Sequence, residues 1–258
     1  PYGCQYCYLA GTIGIKFSPS VKIFVNLPEI LSKIDDVARR LQKPTAFYLG
    51  KLQDGLALDP LTGYTKTMIP FFANHPYARL TILTKSSYVD NLVSEKHNGH
   101  TTISWSLNPE TIHHQYEPNT PSLNARLHAM KKCSDAGYPV RAMLMPIIPV
   151  ENWKEHYAKL IDVIVTQIPI QRLTMGGICS YKTALSLMNA KLTKDNTLNN
   201  NIEKQTYTPD GRIRYPQKCR IEMYTFILGC IQKHNPELPV SLCMEEMDVI
   251  RSVGLSNN

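Results

Sequence analysis

With 258 residues, 43% of them hydrophobic, the chain is long enough to bury a full core and too apolar for disorder. Seven cysteines, an odd number without framework-like spacing, argue against a secreted disulfide scaffold and for a reducing compartment. No run of about 18 apolar residues and no signal peptide is present, so a soluble cytoplasmic protein without a membrane partner is expected. The net charge of +7 suits a polyanion such as DNA and equally an ordinary basic surface, because no dense Lys/Arg block stands out.

Strand-like and helix-like segments alternate along the chain. Val21–Val25 reads as a short strand, with a helix from Asn26-Leu27-Pro28 to about Leu41. Thr45–Leu49 reads as a buried strand, Leu61–Asn74 as a helix and Leu80–Thr84 as a strand ending at Lys85. Thr101–Leu107 alternates with period two, as a strand does. Pro121 to Ala136 has the strongest helix signals, with Thr120 as N-cap, Pro121 at the first helical position and Gly137 just past the end. Val140–Ile148 and Arg172–Gly176 are strands around a helix at Trp153–Val165. Helices at Pro216–Lys233 and Met244–Val253 flank a strand at Val240–Cys243. Residues 191–206, rich in Asn, Lys and Thr, read as an exposed connector within one domain spanning 1–258. Repeated strand–helix units imply a parallel α/β sheet with right-handed crossovers.

The chemistry concentrates at the start, in Gly3-Cys4-Gln5-Tyr6-Cys7-Tyr8-Leu9. Cys-x-x-Cys near a terminus points to metal or redox chemistry. Iron–sulfur, zinc, redox and plain structural readings all remain open on the motif alone. A zinc knuckle would need a second Cys or His pair at similar spacing, and none is visible. A thioredoxin-like motif would normally sit between strand and helix, yet Gly11, Gly14 and Pro19 follow closely.

Several short segments, in one order, resemble the spore photoproduct lyase family of radical S-adenosylmethionine enzymes. They are Tyr6-Cys7-Tyr8-Leu9, Val25-Asn26-Leu27, Thr84-Lys85, Val89-Asp90, Lys96-His97-Asn98-Gly99, Ser106-Leu107-Asn108, Glu117 to Leu123 with Arg126, and Ala136-Gly137-Tyr138-Pro139. The resemblance is close from Gly3 to about Pro149 and thin afterwards. It implies a partial (β/α)6 TIM-like barrel of the radical SAM type. The first strand would be missing, and the third cysteine of the family's cluster motif would fall just ahead of Pro1. The implied cofactors are a [4Fe-4S] cluster and S-adenosylmethionine, with an external electron donor and DNA as candidate partner. The implied activity is hydrogen abstraction by a 5′-deoxyadenosyl radical, with a DNA thymine lesion as candidate substrate. The alternative is a non-catalytic, truncated or decayed paralog that binds nucleic acid, and on either reading this fragment alone is expected to be inactive.

The resemblance also assigns residues. Cys4 and Cys7 would hold the cluster, with Tyr6 near the adenine of the cofactor. Lys85, Ser106 and Asn108, at predicted strand ends, would hold S-adenosylmethionine, a placement that suits barrel enzymes. Tyr8 would return the radical to the cofactor, although a packing tyrosine explains the same letter. Arg126 reads as a structural residue gripping the loop before it. Arg214 and Tyr215 fall in a basic, aromatic stretch suited to phosphate contact and base stacking, or to a solvated turn before a helix. Lys51 occupies the position of the family's hydrogen-donating cysteine, and an ammonium cannot replace a thiol there. Cys243 is the candidate substitute, with a buried small residue as the plain alternative.

Overall fold

Short apolar runs rich in β-branched and aromatic residues form strands β1 (Thr45–Leu49), β2 (Ala78–Thr84), β3 (Thr101–Ser106), β4 (Val140–Ile147) and β5 (Leu173–Gly177). The computed structural model describes residues 2–7, 21–191, 198 and 211–256. Later in the chain come β6 (Cys179–Ser180), β7 (Ile213–Arg214) and β8 (Val240–Leu242). Strands β1, β2, β3, β4, β5 and β8 pair in that order, every neighbour parallel, while β6 and β7 form a small antiparallel ribbon. The parallel sheet curls into a partial (β/α)6 barrel with helices outside.

The helices are α1 (Leu27–Leu41), α2 (Asp59–Thr62), α3 (Tyr64–Asn74), α4 (Asp90–Val93), α5 (Glu110–Tyr116), α6 (Leu123–Asp135), α7 (Trp153–Gln167), α8 (Lys182–Lys191), α9 (Gln217–His234) and α10 (Met247–Ser252). Strands covered on both faces carry near-continuous apolar runs, and Leu80, Ile82, Ile103, Trp105, Leu144, Leu173 and Met175 are all buried. Each such side chain contributes about 1.5–3 kcal/mol by leaving water. Trp105 also donates its indole N–H to the Ser86 carbonyl at 3.0 Å, so its one polar atom is satisfied. Outside the sheet, α7 packs on α9 through Trp153 and Phe226, whose rings meet edge to face at 5.3 Å.

Three expectations need correction. Val21–Val25 is not a strand; it pairs with nothing in the sheet, and Val25 is 90% exposed. A β-branched run without a partner has no ladder to satisfy its backbone. The expected Leu61–Asn74 helix is two helices, divided at Gly63, whose φ of +58° is left-handed and available to glycine at little cost. Helix α6 begins two residues later than expected, with Ser122 as N-cap accepting from the Ala125 N–H at 3.2 Å. Thr120 is buried instead, its hydroxyl bound to the Glu117 carbonyl at 2.9 Å. The anticipated stop holds: Gly137 follows α6 with φ +88°. Most of the expected connector at 191–206 lies outside the described residues, as do Pro1 and Tyr8.

Candidate active site

The C-terminal ends of β2 and β3 gather polar side chains around one buried carboxylate. Glu117 follows α5 and is fully buried. Arg126, one turn into α6, donates from Nη2 to Glu117 Oε2 at 2.5 Å. The Tyr6 hydroxyl donates to Glu117 Oε1, and Asn108 Nδ2 donates to the same oxygen at 3.2 Å. Lys85 Nζ lies 3.8 Å from Oε1 and also donates to the Ser106 hydroxyl. Burial pushes the Glu117 carboxyl up, but the Lys85 and Arg126 charges and the Tyr6 and Arg126 hydrogen bonds outweigh it, holding the pKa at about 2. The same surroundings act oppositely on Tyr6, where burial and the facing Glu117 raise the phenol well above its ordinary value.

Each of these side chains is itself held. Arg126 donates to the Pro121 carbonyl at 2.9 Å and the Ser106 carbonyl at 3.1 Å, so it grips the preceding loop as well as Glu117. Asn108 Oδ1 accepts from the Tyr157 hydroxyl at 3.0 Å, and that hydroxyl accepts from the Ile148 N–H at 2.9 Å. The backbone of Lys85 is fixed by Asp54, whose Oδ2 accepts the Lys85 N–H at 2.6 Å. Asp54 Oδ1 meanwhile accepts from Leu56 N, Ala57 N and Thr84 Oγ1 at 3.0, 2.9 and 2.8 Å. Buried polar networks of this kind favour one geometry when every member is satisfied.

The start of the described chain lies over this cluster. Gln5 N–H donates to the Tyr116 carbonyl at 2.9 Å, and Cys7 N–H donates to the Cys4 carbonyl at 3.2 Å, closing a turn. Tyr6 is buried, with Lys85 Nζ 5.7 Å from its ring centroid. Cys4 and Cys7 are half-buried free thiols. Burial raises the Cys4 thiol pKa, opposed by Lys85 and reinforced by Glu117 and Cys7. Two soft sulfur donors on one turn beside two cations fit an anionic iron–sulfur group, which draws on thiolates. Among the described residues no third cysteine, histidine or carboxylate groups with them at metal-ligand spacing.

Tyr6, Lys85, Ser106 and Asn108 are therefore brought together with Cys4. Cys243 is not part of that cluster. It sits just past β8, its N–H donating to the Met175 carbonyl at 2.9 Å, and burial raises its thiol pKa against the nearby charges of Lys51 and Arg212. Arg214 and Tyr215 need correction as surface contacts. Arg214 is 4% exposed and donates from Nε and Nη2 to the Met244 carbonyl at 3.2 and 3.1 Å, and Tyr215 is wholly buried. In these positions neither side chain meets a phosphate or a base from outside.

Glu117 was missed from the sequence because a single carboxylate in Glu117-Pro118-Asn119-Thr120-Pro121 reads as turn chemistry. The one available signal was Arg126, at the spacing that returns its guanidinium to that loop.

A curled parallel sheet with its polar side chains at the C-terminal strand ends is the partial barrel of the radical S-adenosylmethionine class. Within it, the chain belongs to the spore photoproduct lyase family, whose family model matches residues 2–233. A spore photoproduct lyase from Geobacillus sp. (strain Y412MC61) is 34% identical over 166 residues, covering 64% of this chain and 48% of that protein. The chain thus spans about half the length of the curated relatives it matches. A solved spore photoproduct lyase complexed with a dinucleoside spore photoproduct superposes with a TM-score of 0.79 at 26% identity, covering 93% of this chain and 72% of that one. A mutant form holding both AdoMet and the dinucleoside superposes at 0.78 with 26% identity and the same coverage. Among the described residues no helix is long and apolar enough to cross a membrane.

Proposed function

We propose that this chain carries the catalytic core of a radical S-adenosylmethionine lyase acting on a thymine-derived DNA lesion. The observation that carries the proposal is the junction of the Cys4–Cys7 turn with Lys85, Ser106 and Asn108 around Glu117, at the strand ends where barrel enzymes place their chemistry. The solved relatives with AdoMet and a dinucleoside lesion support the ligand classes. A cluster with S-adenosylmethionine supplies, when bound, a 5′-deoxyadenosyl radical that takes a hydrogen atom from substrate; an external donor provides the electron.

The protein's own groups divide the remaining work. Cys4 and Cys7 would hold the cluster as thiolates; at Cys4 burial raises the thiol pKa and the Lys85 charge opposes that rise. Lys85 and Ser106 suit the carboxylate and ribose oxygens of S-adenosylmethionine, and Asn108 can both donate and accept. Tyr6 provides an aromatic surface for adenine. Cys243, whose raised pKa keeps it a thiol at neutral pH, is the candidate hydrogen-atom donor. Its S–H bond breaks as the substrate radical gains a C–H bond, leaving a thiyl radical. Tyr8 would then give its phenolic hydrogen to that thiyl, restoring the thiol, and the tyrosyl so formed would recover a hydrogen atom from 5′-deoxyadenosine, returning the radical to the cofactor.

Lys51 at the family's cysteine position favours a second reading, a barrel that binds nucleic acid without lesion reversal. Anaerobic reconstitution of the chain extended upstream of Pro1, with iron and sulfide, separates the two. The lyase reading expects a brown protein that releases 5′-deoxyadenosine when reduced with S-adenosylmethionine. A colourless product that releases none would sink it.

A further inference from the structure

Helix α5 brings three metal-binding side chains to one side. Glu110 stands three residues before His113 and four before His114, so its carboxylate neighbours both imidazoles on the helix. Their ligand atoms all lie within 4.8 Å of one another. Glu110 Oε2 is 3.5 Å from His113 Nδ1 and 3.6 Å from His114 Nε2. Two ligands held about 2.1 Å from a tetrahedral zinc-class ion are roughly 3.4 Å apart. The carboxylate is therefore already near ligand-to-ligand spacing from both imidazoles.

His113 is the informative member. It is 8% exposed, and its Nε2 lies 3.2 Å from the Thr120 carbonyl. A carbonyl can only accept, so Nε2 carries the proton, and in the neutral ring the lone pair is on Nδ1. That Nδ1 is buried and has no hydrogen-bond partner, the Glu110 contact being too long for a good one. A backbone carbonyl on the far nitrogen is how proteins orient histidines that ligate metals.

We propose that Glu110 Oε2, His113 Nδ1 and His114 Nε2 form a site for a divalent cation of the zinc class, with water completing the coordination. Two imidazoles and one carboxylate suit zinc, cobalt or nickel better than magnesium or calcium. Glu110 and His114 are exposed, which gives the ion a way in. The site is separate from the Cys4–Cys7 turn and independent of the lyase reading. Its consequence for the active site is mechanical. Thr120, whose carbonyl meets His113, also donates its hydroxyl toward Glu117 Oε2 at 3.4 Å, so a bound ion braces the turn that carries Glu117.

The paired thiols also attract zinc, so the test uses the Cys4→Ser/Cys7→Ser chain. Calorimetric titration with Zn²⁺ should show one saturable site. His114→Ala and Glu110→Gln should each weaken it by about tenfold or more, while His128→Ala, on an exposed part of α6, leaves it unchanged. His114 is largely exposed, so its replacement should leave the fold intact, checked by circular dichroism. Bound Co²⁺ should show visible bands of nitrogen and oxygen coordination without a sulfur charge-transfer band. Absence of binding, equal affinity in His114→Ala and Glu110→Gln, or a sulfur band assigning the ion to another cysteine would each overturn the proposal.

Discussion

Two buried arginine–carboxylate clusters lie at strand ends in this barrel, and they are built with opposite surpluses. At β2 and β3, one carboxylate, Glu117, faces two cations, Lys85 and Arg126. Near β8, one cation faces two carboxylates: Arg220 Nη1 pairs with Glu245 and Nη2 with Glu246 Oε2 at 2.9 Å. Each also uses a tyrosine, Tyr6 donating to Glu117 and Tyr224 donating to Glu245 Oε2 at 2.8 Å. The first cluster keeps a spare positive charge next to two thiols, which suits an incoming anionic group. The second spends its one arginine on two carboxylates and joins α9 to the segment between β8 and α10, while Tyr224 accepts the Gly177 N–H at 2.7 Å. A surplus of the sign a ligand needs distinguishes a candidate site from a brace.

The largest expected effect tests the brace. Arg220 and Glu245 side chains are each 2% exposed, so Arg220→Ala strands a buried carboxylate and should cost about 3–5 kcal/mol in urea denaturation. Arg126→Ala should cost less, because Lys85 still faces Glu117; equal losses would erase the distinction between the clusters.

Acid probes the first cluster next. The Glu117 pKa is lowered from 4.5 to about 2, so its contribution is full above pH 4.5 and disappears as the pH falls towards 2. That shift corresponds to roughly 3 kcal/mol, and Glu117→Gln should flatten the pH dependence of stability across this window. An unchanged slope in the variant would place the acid sensitivity elsewhere.

The smallest effect on stability separates binding from folding. Lys85→Met should cost less stability than Arg126→Ala, since the ammonium stands 3.8 Å from Glu117 whereas Arg126 is hydrogen-bonded to it, yet weaken S-adenosylmethionine binding by about tenfold. Equilibrium dialysis of the reconstituted protein measures it. A variant that binds normally would remove Lys85 from the cofactor site.

Much of the barrel was legible because parallel strands between helices leave short apolar runs separated by turn residues. Thr101–Ser106 and Leu123–Asp135 are close to where alternation and the Gly137 stop placed them. Val21–Val25 misled because β propensity describes a side chain's fit to a sheet and supplies no partner. At the candidate site, Cys4, Tyr6, Lys85, Ser106 and Asn108 were named through the family resemblance, the last three at predicted strand ends, and the fold brings these five side chains together. Glu117 was not, since its significance comes from Arg126, Tyr6 and Lys85 converging from three separate segments. Arg214 and Tyr215 show the reverse: their letters suit a nucleic-acid surface, but burial turns both inward.

The loop after β1 has a last consequence. A Cβ at Gly50 would lie 2.4 Å from the Leu83 carbonyl oxygen, and Gly50 has φ +92°, so this end of the loop requires glycine. The other end is pinned by Gly55 N–H on the Leu83 carbonyl at 2.9 Å and by the four bonds of Asp54. Residues 51–53 between these anchors are exposed and carry none of that fastening. The loop is in effect a socket with an interchangeable tip. A lineage could change the side chain at position 51 without rebuilding the barrel, and an engineer could place a thiol there with the single exchange Lys51→Cys.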